Sequence, residues 1–423
     1  MINNNLNTKK HIENICLKAS KASKLLSIAS TSSKNRALKL IVLNIVKDSE
    51  KILKANKKDM KIANKNNTSK ALMDRLYLDK ERIQNIVDGI NNIIKLEDPV
   101  GKIIKSWTPK NGIKMCQTRV PIGVIGIIYE SRPNVTVDAS SLSLKSSNAI
   151  ILRGGSESFY SSKALTNSIR NALKDSDLPI DSVQMINTVD RSAVGKLLKM
   201  SELVNLIIPR GGKSLIERVQ KDSKIPVLSH LDGLCHTFID NKANKNMSIN
   251  IALNAKMRRT GICGATETLL CHREASTTIL PDIINNLLNE GCEVRGDKIV
   301  QSINSDVKPA TKLDWYTEYL DSIISIKIVD DVYDAINHIE KYGSNHTDAI
   351  ITENKRNAEI FLNSVNSAIV IHNASTQYAD GGEFGMGAEM GIATGKLHAR
   401  GPVALEELTT YKYQLRGKGH TRP

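Results

Sequence analysis

The amino-acid sequence predicts an α/β protein with two doubly wound domains and a small β element. At 423 residues the chain is too long for one compact core, and a hydrophobic share of 40% can fill two or three. Short apolar runs alternate with helical stretches between residues 123 and 208, and again between residues 266 and 372. This alternation is typical of parallel sheets that are covered by helices on both faces.

Composition and charge limit the classes of partner. No run approaches the ~20 apolar residues that a membrane-spanning helix needs, and residues 1–10 are polar, so we expect a cytoplasmic protein with no membrane partner. The formal charge of +15 leaves a basic nucleic-acid-binding protein as an alternative. Because the lysines are scattered and aromatic residues make up only 4%, no stacking platform is evident, and we expect no nucleic-acid partner.

The first 120 residues predict helices followed by a hairpin. Isoleucines recur at helical spacing at positions 83, 86, 90 and 93, behind Asp79, which suits a helix N-cap. Two extended runs between residues 103 and 120 flank Asn111-Gly112, a dipeptide that favours a tight two-residue turn. An isolated hairpin is marginally stable in water, so this one is expected to pack on another domain or subunit.

The two α/β blocks are predicted from their strands. The first block has strands at residues 124–129, 149–152, 183–187 and 204–208, and the second has strands from residue 266 and at residues 323–329, 348–352 and 368–372. A helix is expected at residues 331–342. Residues 379–395 are rich in glycine, and residues 405–413 predict a short helix and then a strand.

Cys263 is the candidate nucleophile among six cysteines. It lies in Thr260-Gly261-Ile262-Cys263-Gly264-Ala265, where glycines leave the thiol uncovered. Arg258 and Arg259 lie just upstream, and nearby positive charge lowers a thiol pKa from ~8.5 towards neutrality. Cys235 and Cys271 lie in apolar runs, where cysteine acts as a small hydrophobic residue. No two cysteines form a C-x-x-C pair or stand at zinc spacing with histidines, so we expect reduced thiols and no metal. An inconsequential loop cysteine remains the alternative.

Two glycine turns are candidate phosphate sites. Arg153-Gly154-Gly155-Ser156 and Arg210-Gly211-Gly212-Lys213-Ser214 each follow an apolar strand and begin a helix, so their N–H groups can hold an anion. Neither matches G-x-G-x-x-G, and the second has Ile207 where the phosphate loop of nucleotide hydrolases needs glycine. Ordinary tight turns are the alternative for both.

Two further stretches carry polar groups that suit a reaction site. Asn134, in Ser131-Arg132-Pro133-Asn134, follows a strand and can donate its amide to a developing oxyanion, although Asn at a helix start is commonly a cap. The glycine-rich run 373–400 includes His398 and Arg400 and suits a pocket for a polar small molecule. A flexible surface loop is the alternative, but long glycine-rich loops in compact domains are usually functional.

Taken together, these stretches resemble the gamma-glutamyl phosphate reductases, a family of the aldehyde dehydrogenase superfamily. The resemblance runs from about residue 15 to residue 413 and rests on Val120-Pro121-Ile122-Gly123-Val124-Ile125-Gly126, Tyr129-Glu130-Ser131-Arg132-Pro133-Asn134-Val135-Thr136, Ile207-Ile208-Pro209-Arg210-Gly211-Gly212-Lys213, Asn254-Ala255-Lys256 and Leu397-His398-Ala399-Arg400-Gly401-Pro402. It implies an aldehyde-dehydrogenase-like fold. It also implies NADPH-dependent reduction of L-glutamyl 5-phosphate to L-glutamate 5-semialdehyde and phosphate through a cysteine thioester, the second step of proline biosynthesis.

The resemblance also implies residue roles. Cys263 matches the family's catalytic thiol, and Asn134 matches its oxyanion amide. Arg153 stands where the superfamily has a lysine at the adenosine ribose, and a guanidinium there suits the 2′-phosphate of NADP. Ser229 replaces the glutamate that activates water in oxidative relatives, which agrees with reduction. The implied NADP-binding residues are Arg153, Gly154, Arg210, Gly211, Gly212, Lys213 and Glu318, although the surroundings of Glu318 depart from the superfamily motif, and the candidate substrate cations are Arg258, Arg259, His398 and Arg400.

The same resemblance implies a division of the chain and its partners. We expect an NADP-binding domain at residues 1–102 and 121–245 and a catalytic domain at residues 246–372. Residues 103–120 and 396–423 would form an oligomerisation element, and residues 373–395 a substrate or cofactor loop. A homo-oligomer is expected, and association with glutamate 5-kinase is a further hypothesis. A coenzyme A-acylating aldehyde dehydrogenase is the alternative enzyme, which a comparison of phosphate and coenzyme A as acyl acceptors distinguishes.

Overall fold

The computed structural model describes residues 2–422, without the side chains of residues 2–7, 70 and 71. By packing, the chain divides into two compact units. Unit 1 contains Met1–Ser229, Gly385–Gly391 and Val403–Pro423, and unit 2 contains His230–Phe384 and Ile392–Pro402. The functional division expected at residue 245 remains a prediction, because packing alone assigns no function. Among the described residues, no helix combines the length and the apolar character that crossing a membrane requires.

The elements alternate as the sequence predicts. In chain order the helices are α1 (Ile2–Leu26), α2 (Thr31–Lys47), α3 (Ser49–Lys65), α4 (Lys70–Leu76), α5 (Lys80–Lys95), α6 (Pro133–Lys145), α7 (Phe159–Lys174), α8 (Ser192–Leu197), α9 (Lys213–Asp222), α10 (Lys245–Met257), α11 (Leu280–Asn289), α12 (Lys298–Ile303), α13 (Val332–Tyr342) and α14 (Lys355–Ser364). The strands are β1 (Ile103–Trp107), β2 (Lys114–Pro121), β3 (Val124–Tyr129), β4 (Ala149–Gly154), β5 (Val183–Met185), β6 (Leu206–Arg210), β7 (Cys235–Ile239), β8 (Thr266–His272), β9 (Glu293–Gly296), β10 (Lys308–Pro309), β11 (Ile323–Val329), β12 (Thr347–Ile351), β13 (Ile369–His372), β14 (Ile392–Ala393), β15 (Gly401–Pro402) and β16 (Thr409–Arg416).

Unit 1 begins with helices, as predicted. The Asp79 carboxylate accepts a hydrogen bond from the N–H of Arg82 at 2.8 Å, so it caps α5. The isoleucines of α5 are buried along one face, which holds the helix against the rest of the unit. Behind these helices lies a four-stranded parallel sheet in the order β5-β4-β3-β6. Its central strands are buried throughout, as expected for a sheet covered on both faces.

The predicted hairpin is confirmed, but its tight turn is not. Strands β1 and β2 are antiparallel, and β16 pairs with the other edge of β2 to complete a three-stranded sheet. The connection spans residues 108–113, and within Asn111-Gly112 only Gly112 has a positive φ, of 77°. The N–H of Gly112 donates to the Pro109 carbonyl at 2.9 Å. The hydrogen-bonded turn therefore runs from Pro109 to Gly112, and the dipeptide does not close the hairpin alone.

Unit 2 is built on a seven-stranded parallel sheet in the order β10-β9-β11-β8-β7-β12-β13. Helices α10, α11 and α12 pack in one hydrophobic cluster, which includes Leu269 of β8. Helices α13 and α14 pack in a second cluster, which includes Phe238 of β7. Within residues 405–413, where a short helix and a strand are expected, residues 405–408 form a turn and the strand is β16. Strands β8, β7 and β12 are neighbours, so the segments that precede them meet at one edge of the sheet.

Candidate active site

The candidate nucleophile lies at the amino edge of the sheet in unit 2. Cys263 precedes β8, His230 precedes β7, and His346 directly precedes β12. Since these strands are parallel neighbours, the three side chains converge although they are distant in sequence. The sulfur of Cys263 and one ring nitrogen of each histidine all lie within 4.8 Å of one another. The sheet order therefore creates a cysteine flanked by two imidazoles.

Hydrogen bonds hold both imidazole rings. Nδ1 of His230 lies 2.8 Å from the carbonyl oxygen of Ile392, an acceptor, so this nitrogen carries the proton. Nδ1 of His346 lies 2.9 Å from Oγ1 of Thr347. The two rings meet edge to face, with centroids 5.0 Å apart. Nδ1 of His346 also lies 3.6 Å from the sulfur of Cys235, and Nε2 of this ring is buried with no hydrogen-bond partner among the described residues.

These histidines control the protonation of Cys263. Burial raises the pKa of the Cys263 thiol, but the two imidazoles, with His346 as the leading influence, outweigh burial and hold the pKa well below its ordinary value. Burial raises the pKa of Cys235 well above that of a free thiol. Cys263 is therefore suited to react as a thiolate, whereas Cys235 remains protonated.

The backbone around Cys263 is closely packed. The carbonyl of Cys263 accepts a hydrogen bond from the Cys235 thiol at 3.0 Å. A Cβ placed on Gly233 would lie 2.3 Å from the same carbonyl oxygen and 2.5 Å from the Cys263 Cα. The N–H of Gly233 donates to Oε1 of Glu318 at 2.9 Å. Burial raises the pKa of the Glu318 carboxyl, and the negative charge of Cys263 adds to this effect, so the structure brings Glu318 close to the nucleophile.

A buried ion pair lies in the same unit. Nζ of Lys256 is 2.5 Å from Oε2 of Glu267, and neither side chain is exposed. Oε1 of Glu267 accepts the N–H of Leu320 at 3.2 Å. Burial raises the pKa of Glu267 to about 7, against the opposing charge of Lys256. The pair therefore anchors the segment that carries Glu318.

The candidate substrate cations differ in how they are engaged. Arg258 and Arg259 are exposed, and Arg258 donates to the Gln377 side chain at 3.4 Å. Arg400 donates to the Asn366 carbonyl at 2.5 Å and to the Asn366 side chain at 3.1 Å. His398 is exposed and has a φ of 66°. The guanidinium of Arg400 thus connects its loop to Asn366, which precedes β13, and the anion-binding roles of all four residues remain predictions.

In unit 1, the predicted cofactor residues lie at the carboxyl ends of the sheet. Arg153 is buried, and its guanidinium donates to the carbonyls of Gly154 at 2.5 Å and Val189 at 3.3 Å. Its Nε is buried and has no hydrogen-bond partner among the described residues. Burial lowers the pKa of Arg153, Glu157 opposes this, and the charge of Arg191 adds to the lowering. Two neighbouring guanidiniums and an unpartnered N–H favour an anion.

The second glycine turn and Asn134 also lie in unit 1. The N–H of Gly212 donates to Oε2 of Glu130 at 3.0 Å, so the turn binds a carboxylate of the protein itself. The guanidinium nitrogen Nη2 of Arg210 lies 3.6 Å from Oε1 of Glu389.

The amide of Asn134 donates to Oδ2 of Asp138 at 2.9 Å. Burial raises the pKa of Asp138 to about 6, although Asn134 and Arg210 favour the charged form. The cofactor and oxyanion roles remain predictions.

Comparison with known proteins identifies the family. The aldehyde dehydrogenase family model matches residues 2–290. A gamma-glutamyl phosphate reductase from Paramagnetospirillum magneticum is 52% identical over 406 residues, which cover 96% of each chain. The chain belongs to the gamma-glutamyl phosphate reductase family. A crystal structure of the Thermotoga maritima member superposes with a TM-score of 0.95 at 44% identity, covering 97% of this chain and 100% of that one. An acetylating aldehyde dehydrogenase from Geobacillus thermoglucosidasius, at 15% identity and a TM-score of 0.71, shares the fold.

Membership of this family confirms the predicted aldehyde dehydrogenase fold. The residues that lower the pKa of the Cys263 thiol, however, are not the ones that the sequence predicts. The sequence pointed to Arg258 and Arg259 as the source of positive charge. In the structure, His346 and His230 are the leading influences that lower the pKa of Cys263. One feature of the sequence could have indicated these histidines. His346 precedes a predicted strand and His230 precedes an apolar run, but the sequence does not show that the two strands are neighbours.

Close packing at Gly233 gives a test of the site. We expect Gly233→Ala to lower the kcat of this family member by about 10²-fold, because a displaced nucleophile loses alignment with its target. The control is Gly195→Ala, since a Cβ there meets no atom within 4 Å. Steady-state kinetics on both variants, with circular dichroism to verify folding, measures the effect. Equal rates for a folded Gly233→Ala variant and the wild type would contradict it.

Proposed function

We propose that this chain reduces L-glutamyl 5-phosphate to L-glutamate 5-semialdehyde and phosphate with NADPH. The observation that carries the proposal is the Cys263 thiol, whose pKa is lowered by His230 and His346. The relatives that match the full length of the chain bear the name of this activity. An acyl phosphate is an activated acid with a good leaving group, and a thiolate is a strong nucleophile that can attack its acyl carbon.

The reaction follows from the chemistry of the thiolate. Cys263 attacks the acyl carbon, the bond from this carbon to the phosphate oxygen breaks, and a thioester forms. An imidazolium of His230 or His346 can donate the proton that the leaving phosphate takes up. NADPH, when bound, supplies the hydride that reduces the thioester carbon. The resulting hemithioacetal oxyanion expels the Cys263 thiolate as the aldehyde forms. The histidine that gave its proton to phosphate is reprotonated from water, and as an imidazolium it stabilises this leaving group.

Asn134 is proposed as a donor to the oxyanion. Its side-chain amide has a second N–H besides the one that Asp138 accepts. A carboxylate accepts hydrogen bonds, so the group of Asn134 that faces Asp138 is the NH₂ group rather than the carbonyl oxygen. Removal of one oxyanion donor typically costs about 10²- to 10³-fold in kcat. Glu318 is proposed to hold the nicotinamide ribose, as the resemblance implies.

NADP(H) is proposed as the cofactor because of the cations at Arg153. The unpartnered Nε of Arg153 and the neighbouring charge of Arg191 suit the 2′-phosphate that distinguishes NADPH from NADH. We expect Arg153→Ala to raise the KM for NADPH by roughly 10- to 100-fold, the effect of losing hydrogen bonds to a charged group. The KM for NADH, which lacks this phosphate, should change little. Arg218→Ala, at an exposed helix position, serves as the control.

The decisive test is NADP⁺ reduction by the full chain in the reverse direction. Glutamate 5-semialdehyde and inorganic phosphate are supplied, and Cys263→Ser is assayed beside Cys116→Ser. We expect phosphate-dependent turnover in the wild type and in Cys116→Ser. Cys263→Ser should lose more than about 10³-fold, because a serine hydroxyl does not ionise in this environment. Turnover with coenzyme A but without phosphate would instead support an acylating aldehyde dehydrogenase.

A homo-oligomer is proposed through the sheet of β1, β2 and β16. Ile103, Tyr413 and Leu415 are each more than half exposed on this sheet. Both edge strands also present unpaired backbone groups, which favour pairing with another copy. Association with glutamate 5-kinase and a cytoplasmic location stay as hypotheses.

A further inference from the structure

We propose that Cys263, His230 and His346 also form a zinc-binding site whose occupation reversibly blocks the nucleophile. The inference departs from the expectation of no metal, which rested on spacing in the sequence. It does not depend on the identity of the substrate. Two imidazole nitrogens and one thiolate form a ligand set that Zn²⁺ prefers in proteins, and a fourth position remains for water.

The distances are compatible with this ligand set. The three donor atoms lie within 4.8 Å of one another. Tetrahedral zinc, with bonds of about 2.0 Å to nitrogen and 2.3 Å to sulfur, places its ligands about 3.5 Å apart. A contraction on the order of 1 Å would therefore close the site. Small adjustments of the Cys263 and His230 side chains, which are only partly buried, can supply it.

The histidines are already oriented as metal ligands. Nδ1 of His230 donates to the Ile392 carbonyl, so Nε2 carries the lone pair. Metal-bound histidines almost always show this outer hydrogen bond to a carbonyl or carboxylate. His346 is fully buried, with Nδ1 next to the Thr347 hydroxyl. Its Nε2 has no partner of hydrogen-bonding geometry among the described residues. A buried nitrogen in this state is a natural ligand for a cation.

The surrounding charges also favour a cation. Glu318 is close enough to interact electrostatically with Cys263, so a thiolate and a carboxylate share this part of unit 2. Bound Zn²⁺ would take the lone pair with which the thiolate attacks the acyl carbon. Zinc binding and acylation of Cys263 are therefore mutually exclusive. The reaction needs no metal, so removal of zinc restores activity.

Cobalt provides a direct test, because tetrahedral Co²⁺ reports thiolate ligation in its absorption spectrum. The metal-free full chain is titrated with Co²⁺, and Zn²⁺ is then added. We expect thiolate-to-cobalt bands that saturate at one equivalent and disappear when Zn²⁺ displaces Co²⁺. Zn²⁺ should also slow alkylation of Cys263 by iodoacetamide more than about tenfold, and EDTA should reverse this. The alkylated residue is identified by peptide mass analysis.

Variants separate this site from adventitious binding. His346→Ala and His230→Ala should each weaken Zn²⁺ binding at least tenfold, whereas His420→Ala and Cys116→Ser should bind as the wild type does. If His346→Ala does not fold, His346→Gln replaces it. Unchanged affinity in folded histidine variants, or cobalt bands that persist in Cys263→Ser, would overturn the proposal. Cobalt binding needs no turnover, so a chain that binds metal but reduces no acyl phosphate would refute the proposed function alone.

Discussion

His346→Ala is expected to lower the kcat of acyl-phosphate reduction by about 10²- to 10⁴-fold, the range over which a positioned acid or base contributes to catalysis. The imidazole of His346 is the leading influence that opposes burial of the Cys263 thiol. Without it, burial dominates, and the pKa of Cys263 rises. His230→Ala should act in the same direction with a smaller effect on the pKa, because the charge of His230 contributes less.

The pH dependence of alkylation measures this change. In the wild type the pKa of Cys263 is held well below that of an ordinary thiol, so the iodoacetamide rate should rise and level off at a lower pH than it does for a free thiol. In His346→Ala the rate should climb through and beyond ~8.5, the value of an ordinary thiol. The assay contains a chelator, and the exposed variant His420→Ala is the control. Superimposable pH profiles for His346→Ala and the wild type would refute the assigned role.

Burial alone does not make a histidine useful for this purpose. His338 is buried beside His236, and desolvation with the charge of that neighbour lowers its pKa to about 2. An imidazole in that environment stays neutral and cannot stabilise a thiolate. His230 is half-buried, and the negative sulfur of Cys263 is its partner. His230 and His338 differ in whether a negative group lies beside the imidazole, and the sequence around either histidine does not show this.

The fold was more predictable from the sequence than the site. Strand β3 is an apolar run and β11 is rich in isoleucine and valine, so the positions of both strands follow from the chain itself. Cys263 was predicted from its flanking glycines, which lie within the same short segment. His346 was missed because its relation to Cys263 depends on β7 lying between β8 and β12. Strand order is set by long-range packing, and no local pattern specifies it.

Two glycine-containing turns also depend on residues outside their own motif. Asn111-Gly112 favours a two-residue turn, but Pro109 begins the turn earlier. The Gly211-Gly212 turn offers N–H groups to an anion, yet the carboxylate that accepts from Gly212 belongs to Glu130, which follows a neighbouring strand. In both cases a residue outside the motif decided its use.

Lys256→Met is expected to lower the free energy of unfolding by about 3–5 kcal/mol, the usual cost of removing one member of a buried ion pair. Glu267 would lose a partner at 2.5 Å, while burial continues to oppose its charge. The pKa of Glu267 is already raised to about 7 and would rise further, so the side chain would be protonated at neutral pH. The Lys256→Met/Glu267→Gln double variant removes the buried carboxyl that would have to take up a proton, and it should recover most of the loss.

The measurement exploits the two tryptophans of the chain, Trp107 in unit 1 and Trp315 in unit 2. In a Trp107→Phe background, urea unfolding followed by fluorescence reports on unit 2 alone. Arg273→Ala breaks an ion pair with Asp330 in the same unit, and because both partners are more than half exposed it should cost at most about 1 kcal/mol. If Lys256→Met lowers the free energy of unfolding by no more than this control does, the buried pair does not stabilise the segment that carries Glu318. If the double variant is as unstable as the single one, the loss arises from packing rather than charge.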